Sequence, residues 1–369
     1  MGRAWIDGRP VAVHAAIAEA ARLLAASRVP VVAGLGTDIA GTRAAIALAE
    51  RIGGTVDHMH SAAVLRDVDV MRDAGMMLTT PTEAQVRADL VLMIGSGLLE
   101  AWPQLPQRLL AGSATPSPDA AVARRVIWLC PGTDGAKVRE RQNVKVVGRH
   151  PAGLAVLLSV VRARIGGRPL GKTSFSARTL DALAAQLQRA RFGVAVWSAA
   201  TLDVLAIEML CGLVQDLNAH TRFTGLPLAA GDNSLGVLQA CGWMTGFPMR
   251  TGFGRGHPEH DPWRFDAMRL VESGEADCAL WISAYRTAAP AWKRDVPTIA
   301  LTGAQNFGQA PRVHIEVGVP GADHDAVEYL PASGTLVAVA ATRRSDAISV
   351  TDALARIAAA LPSAGAWPC

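Results

Sequence analysis

The chain has 369 residues; 50% are hydrophobic, only 18% are charged, and the formal net charge is +4. This excludes general disorder, since apolar material for a core is ample. It also excludes a strongly electrostatic nucleic-acid binder, because 36 basic residues face 32 acidic ones. A charge share below the usual ~25% leaves a surface suited to burial against another molecule.

Apolar residues at helical spacing (Val13, Ile17, Ala20, Ala21, Leu24) predict a helix over 13–27. A short apolar strand, 30–34, ends in glycine. A second helix, 42–52, is stopped by Gly53-Gly54. A strand follows at 55–57, and the buried-type strand 90–94 ends in Gly95-Ser96-Gly97. Strands 126–130 and 144–147 precede a helix at 152–164. The stretch GGRPLGKTSFS, 166–176, reads as a linker. A helix at 177–189, a strand at 194–197 and a helix at 202–217 come next. Strands at 279–283, 298–301, 313–317 and 336–340 precede a closing helix at 350–361. Apolar strands alternating with helices predict an α/β fold, with a parallel sheet covered on both faces. Ligands of such sheets bind at the carboxyl ends of the strands.

The longest apolar stretch, 194–214, carries Asp203 and Glu208 and suits a strand and a helix, not a bilayer span. The N-terminal MGRAWIDGRPVAV shows no apolar signal core. Five dispersed cysteines (Cys130, Cys211, Cys241, Cys278, Cys369) read as reduced thiols of a cytoplasmic protein. Their spacing argues against an iron–sulfur cluster or structural zinc, which need clustered thiolates.

Four clusters invite a chemical reading. Gly34, Gly36 and Gly41, with Asp57 beyond, resemble a dinucleotide fingerprint. Four residues rather than two separate the second and third glycines, so a plain strand-to-helix turn is expected. His58 and His60 follow Asp57 at a strand end, where two imidazoles could share a metal. The other ligands of such a site are missing, because the four lysines do not follow evident barrel strands. A solvated loop is expected instead. Residues 252–262, with His257, Glu259, His260 and Asp261, form an irregular glycine- and proline-rich loop of the kind that carries binding. Asp323-His324-Asp325 reads as a polar turn.

Several segments together resemble the pterin-binding B-subunit of formylmethanofuran dehydrogenase, within the molybdenum/tungsten bis-pterin oxidoreductases. They are Pro30 to Gly34, AIALAERIGGTVD at 45–57, EAQVRADLVLMIGS at 83–96, Gly231-Asp232-Asn233-Ser-Leu-Gly236 with Trp243 to Pro248, and Arg255-Gly-His-Pro258 with Glu272 to Leu280. Their order and spacing match across about 30–360. The resemblance implies two interleaved Rossmann-like domains as in the formate dehydrogenase/DMSO reductase-like fold, without its iron–sulfur domain. By analogy, 1–60 plus 171–369 would form one domain and 61–170 an inserted one.

The departures from that pattern direct the functional expectation. The family's metal-ligating Cys or selenocysteine falls on Ala63, and its following His on Val64. A methyl group cannot coordinate a metal or shuttle a proton. No cysteine precedes Cys130, so the family's N-terminal cluster motif is absent. The nucleotide-holding segment reads Leu129-Cys130-Pro131-Gly132-Thr133, without its charged groups. This pattern is similar to the B-subunit of bacterial formyltransferase/hydrolase complexes, which serve one-carbon oxidation in methylotrophs. The resemblance implies a non-redox scaffold for conversion of formyl-tetrahydromethanopterin to formate through a methanofuran-type carrier. Its partners would be an amidohydrolase-like A-subunit, a β-helix-like C-subunit and a formyltransferase D-subunit, with neither nucleic acid nor membrane. No catalytic residue, metal, pterin, molybdenum, tungsten or iron–sulfur cluster is expected in this chain. A vestigial pocket would involve Gly34, Gly36, Ser96, Asn233 and Arg255. The alternative is an active molybdenum- or tungsten-pterin subunit using His58 or His60 as an unusual ligand.

Overall fold

The computed structural model describes residues 3–362, apart from 111–112, 118–119, 139–142, 149–152, 287, 304–306 and 308–309. Cys369 and the first residue of the helix expected at 152–164 lie outside the described residues. The chain is α/β and divides into two compact units. One comprises Met1–Ser61, Gly231–Tyr329 and Leu336–Cys369; the other comprises Ala62–Ala230 and Leu330–Thr335.

The first unit is built on a nine-stranded sheet. Its order is Glu259–His260, Thr251–Gly252, Thr55–His58, Pro30–Gly36, Cys278–Ser283, Thr298–Thr302, Val313–Glu316, Ala4–Ile6 and Arg9–Val11. The five strands from Thr55–His58 to Val313–Glu316 are parallel, and the edges are antiparallel. Pro30–Gly36 is buried at every position. Its unbroken PVVAGLG pattern is what a strand covered on both faces requires. Asp38 caps the next helix, Ile39–Arg51, by accepting from Gly41 N at 2.9 Å. That cap starts the helix three residues before the expected 42.

From Pro30–Gly36 the chain passes to Thr55–His58 on one side, and later to Cys278–Ser283 on the other. Strand order therefore reverses at Pro30–Gly36. The carboxyl ends of these strands form the edge where an open parallel sheet receives ligands.

The second unit has a five-stranded sheet, ordered Phe223–Pro227, Gly193–Trp197, Leu90–Ile94, Arg125–Leu129 and Val144–Val147, all parallel. Leu90, Leu92 and Ile94 pack into one apolar cluster, and Val91 and Met93 into another. This is the period-two alternation of a sheet covered on both faces. The sheet also corrects the expected domain boundary at 170. Gly193–Trp197 pairs directly with Leu90–Ile94, so residues up to Ala230 complete the second unit. The stretch 166–176 thus lies inside a unit and does not link two.

Other differences are local. The expected strand at 336–340 is Thr335–Val339, which pairs only with Ala326–Leu330 in a separate ribbon. Helices Ser61–Ala74 and Ser234–Thr245 arise where none was expected. No described helix is long and apolar enough to cross a membrane.

Candidate functional site

The carboxyl edge of the first sheet gathers side chains from three distant segments. Gly34 closes the approach of two strands. Its φ is +83°, and a Cβ there would lie 2.4 Å from the Ile282 carbonyl oxygen. Only glycine meets both conditions. Nearby, Met59 N donates to Gly34 O at 3.0 Å and Ala284 N to Gly36 O at 2.7 Å.

His58 and Asp57 are buried, with 3% and 5% exposure. The solvated loop expected here is therefore a strand end running into helix Ser61–Ala74. The Ser61 hydroxyl accepts from His58 N at 3.0 Å. His58 Nε2 lies 3.0 Å from the Asp232 carbonyl oxygen, and His60 N lies 3.0 Å from His58 Nδ1. A carbonyl can only accept and an amide N–H can only donate. The network therefore assigns a neutral ring protonated at Nε2. Burial drives the His58 pKa down to about 4, in keeping with that neutral form.

Asp232 is the centre of the cluster. Its carboxylate receives His60 Nε2 at 2.8 Å and lies 2.8 Å from Arg286 Nε through both oxygens; Arg286 Nη2 pairs with it as well. Burial alone would raise its pKa, but these donors outweigh burial and hold it at about 2. Asp232 and Asn233 have φ of 47° and 58°, after Gly231 at 99°. Asx residues tolerate that left-handed backbone better than other non-glycine types. The turn aims Asn233 at two main-chain partners. Its Nδ2 donates to Thr37 O at 2.9 Å, and its Oδ1 accepts from Tyr329 N at 2.8 Å.

Behind this edge, Asp57 Oδ2 accepts from Ala267 N at 2.9 Å, and Arg250 Nε lies 3.6 Å from Asp57 Oδ1. Burial raises the Asp57 pKa to about 6, against the pull of Arg250.

Of the pocket residues expected from sequence, Gly34, Gly36 and Asn233 meet at this edge. Ser96 belongs to the second unit, where its carbonyl accepts from Thr201 Oγ1 at 2.8 Å. Arg255 is solvent-exposed and ion-paired to Glu259 at 3.0 Å. His260 Nδ1 lies 3.0 Å from Arg250 O, and Asp323 is bound by Arg343 at 2.6 Å. Ala63 sits in the first turn of Ser61–Ala74, 8% exposed, within an apolar cluster. Asp232, Arg286 and Tyr329 were not singled out from sequence. The Gly-Asp-Asn triplet is a local signal for Asp232, because it suits a run of positive φ. Arg286 and Tyr329 carry no such signal.

Among the described residues, no group of three or more His, Cys, Asp or Glu side chains could hold a metal ion. The four described cysteines are buried, and burial raises each thiol pKa, for Cys241 and Cys278 to about 12.

Fold and site together define a two-unit α/β protein in which the carboxyl edge of the first sheet is tied by its own side chains. No protein-family model matches the chain. It is 36% identical over 321 residues to the B-subunit of the formyltransferase/hydrolase complex Fhc of Methylorubrum extorquens, covering 86% of this chain and 85% of that one. It is 26% identical over 294 residues to the B-subunit of the tungsten-containing formylmethanofuran dehydrogenase 2 of Methanocaldococcus jannaschii, covering 75% and 65%. A chain in the crystal structure of the Methylorubrum extorquens formyltransferase/hydrolase complex with methylofuran superposes with a TM-score of 0.86 at 34% identity, covering 96% and 97%. The chain belongs to the B-subunit family of formyltransferase/hydrolase complexes, which is related to the B-subunit of formylmethanofuran dehydrogenase.

Proposed function

We propose that this chain is a non-redox structural subunit of a cytoplasmic formyltransferase/hydrolase complex. That complex moves a formyl group from formyl-tetrahydromethanopterin to a methanofuran-type carrier and releases it as formate. Transfer and hydrolysis belong to partners: a formyltransferase D-subunit and an amidohydrolase-like A-subunit, with a β-helix-like C-subunit. In this reading the two units are interleaved Rossmann-like domains inherited from pterin oxidoreductases, and the chain carries no pterin, molybdenum, tungsten or iron–sulfur cluster.

The observation that carries the reading is the sheet edge. His58, His60, Asp232, Arg286 and Asn233 direct hydrogen bonds to one another and to adjacent main chain. That is what a retained fold without retained chemistry would look like. Ala63 supports it, because the resemblance aligns this buried methyl group with the metal ligand of the redox relatives. The active-dehydrogenase alternative would have to recruit His58 or His60. The His58 ring nitrogens lie at hydrogen-bond distance from main-chain groups, and His60 Nε2 lies 2.8 Å from Asp232 Oδ2.

The test is His60→Gln in the assembled complex. Formate release per complex is expected to stay within about twofold of the parent. A loss of about 100-fold or more with assembly intact, the scale of a general acid–base group, overturns the proposal.

A further inference from the structure

We draw no further inference here: the strongest candidate, a cavity of about 500 Å³ in the first unit beside the starts of strands Thr298–Thr302 and Val313–Glu316, has Trp292, Lys293, Arg294, Asp295, Phe307 and Arg312 in its lining, but Arg312 is already paired to Asp7 and Glu19, Lys293 and Arg294 share the lining with Asp295 and Asp7, and nothing in the structure shows what class of molecule fills it.

Discussion

Gly34→Ala should lower stability by about 3–5 kcal/mol. Two costs combine. The alanine would be held at a φ of +83°, in the left-handed region. Its Cβ would also lie 2.4 Å from Ile282 O, 3.1 Å from Ile282 N and 3.1 Å from Trp281 Cδ2. Two of those atoms are backbone, so no rotamer change relieves the contact. Pro30–Gly36 and Cys278–Ser283 would have to separate at their carboxyl ends, where their register is already irregular. Thermal melting of the variant is the check, with an expected fall of roughly 10 °C. A melting temperature equal to the parent's would contradict the account of the edge. Gly75, with φ +74° and open space around it, is the control. There alanine should cost only about 1 kcal/mol, the conformational share.

Asn233→Ala should cost about 2–4 kcal/mol. It removes the donor to Thr37 O and the acceptor for Tyr329 N in one step. It also places alanine at a φ of 58°. Asn233→Gly separates the two causes, because glycine adopts that backbone freely but makes neither bond. Glycine should therefore lose about 1 kcal/mol less than alanine in denaturant unfolding. If both variants unfold at the parental denaturant concentration, Asn233 does not tie the edge.

The elements most legible in the sequence are those whose burial is uniform. The run LVLMI at 90–94 reads as a strand because every position is buried on one face or the other. The helix Val13–Ala26 shows its apolar stripe directly, and its buried residues are Ala16, Ile17, Ala20, Ala21 and Leu24. Mixed elements are harder. Ser61–Ala74 carries Arg66, Asp67, Asp69, Arg72 and Asp73, which break the helical period. The N-terminal hairpin is too short for any period, although its Asp7-Gly8 turn is a known hairpin signal. The boundary at 230 was hidden because nothing local distinguishes a strand of one sheet from a strand of another. Pairing of Gly193–Trp197 with Leu90–Ile94 decides it, across about a hundred residues.

The site follows the same division. Gly34, Gly36 and Asn233 are legible because their roles are conformational and local. The ion cluster is not, since His60 and Arg286 meet Asp232 across 172 and 54 residues of chain. The buried state of Asp57 and His58 depends on the helix after them and on the return of the chain at Asp232 and Ala267. The low share of charged residues takes on a definite place in this picture. Part of it lies in large apolar side chains, Trp243 and Trp263 among them, that the first unit leaves in solvent.

The claim that this chain kept its fold and lost its redox centre is tested most directly by elemental analysis of the purified, formate-producing complex. Molybdenum and tungsten should both be far below one per complex, with no extractable pterin. Stoichiometric molybdenum or tungsten with a matching amount of pterin would contradict the account.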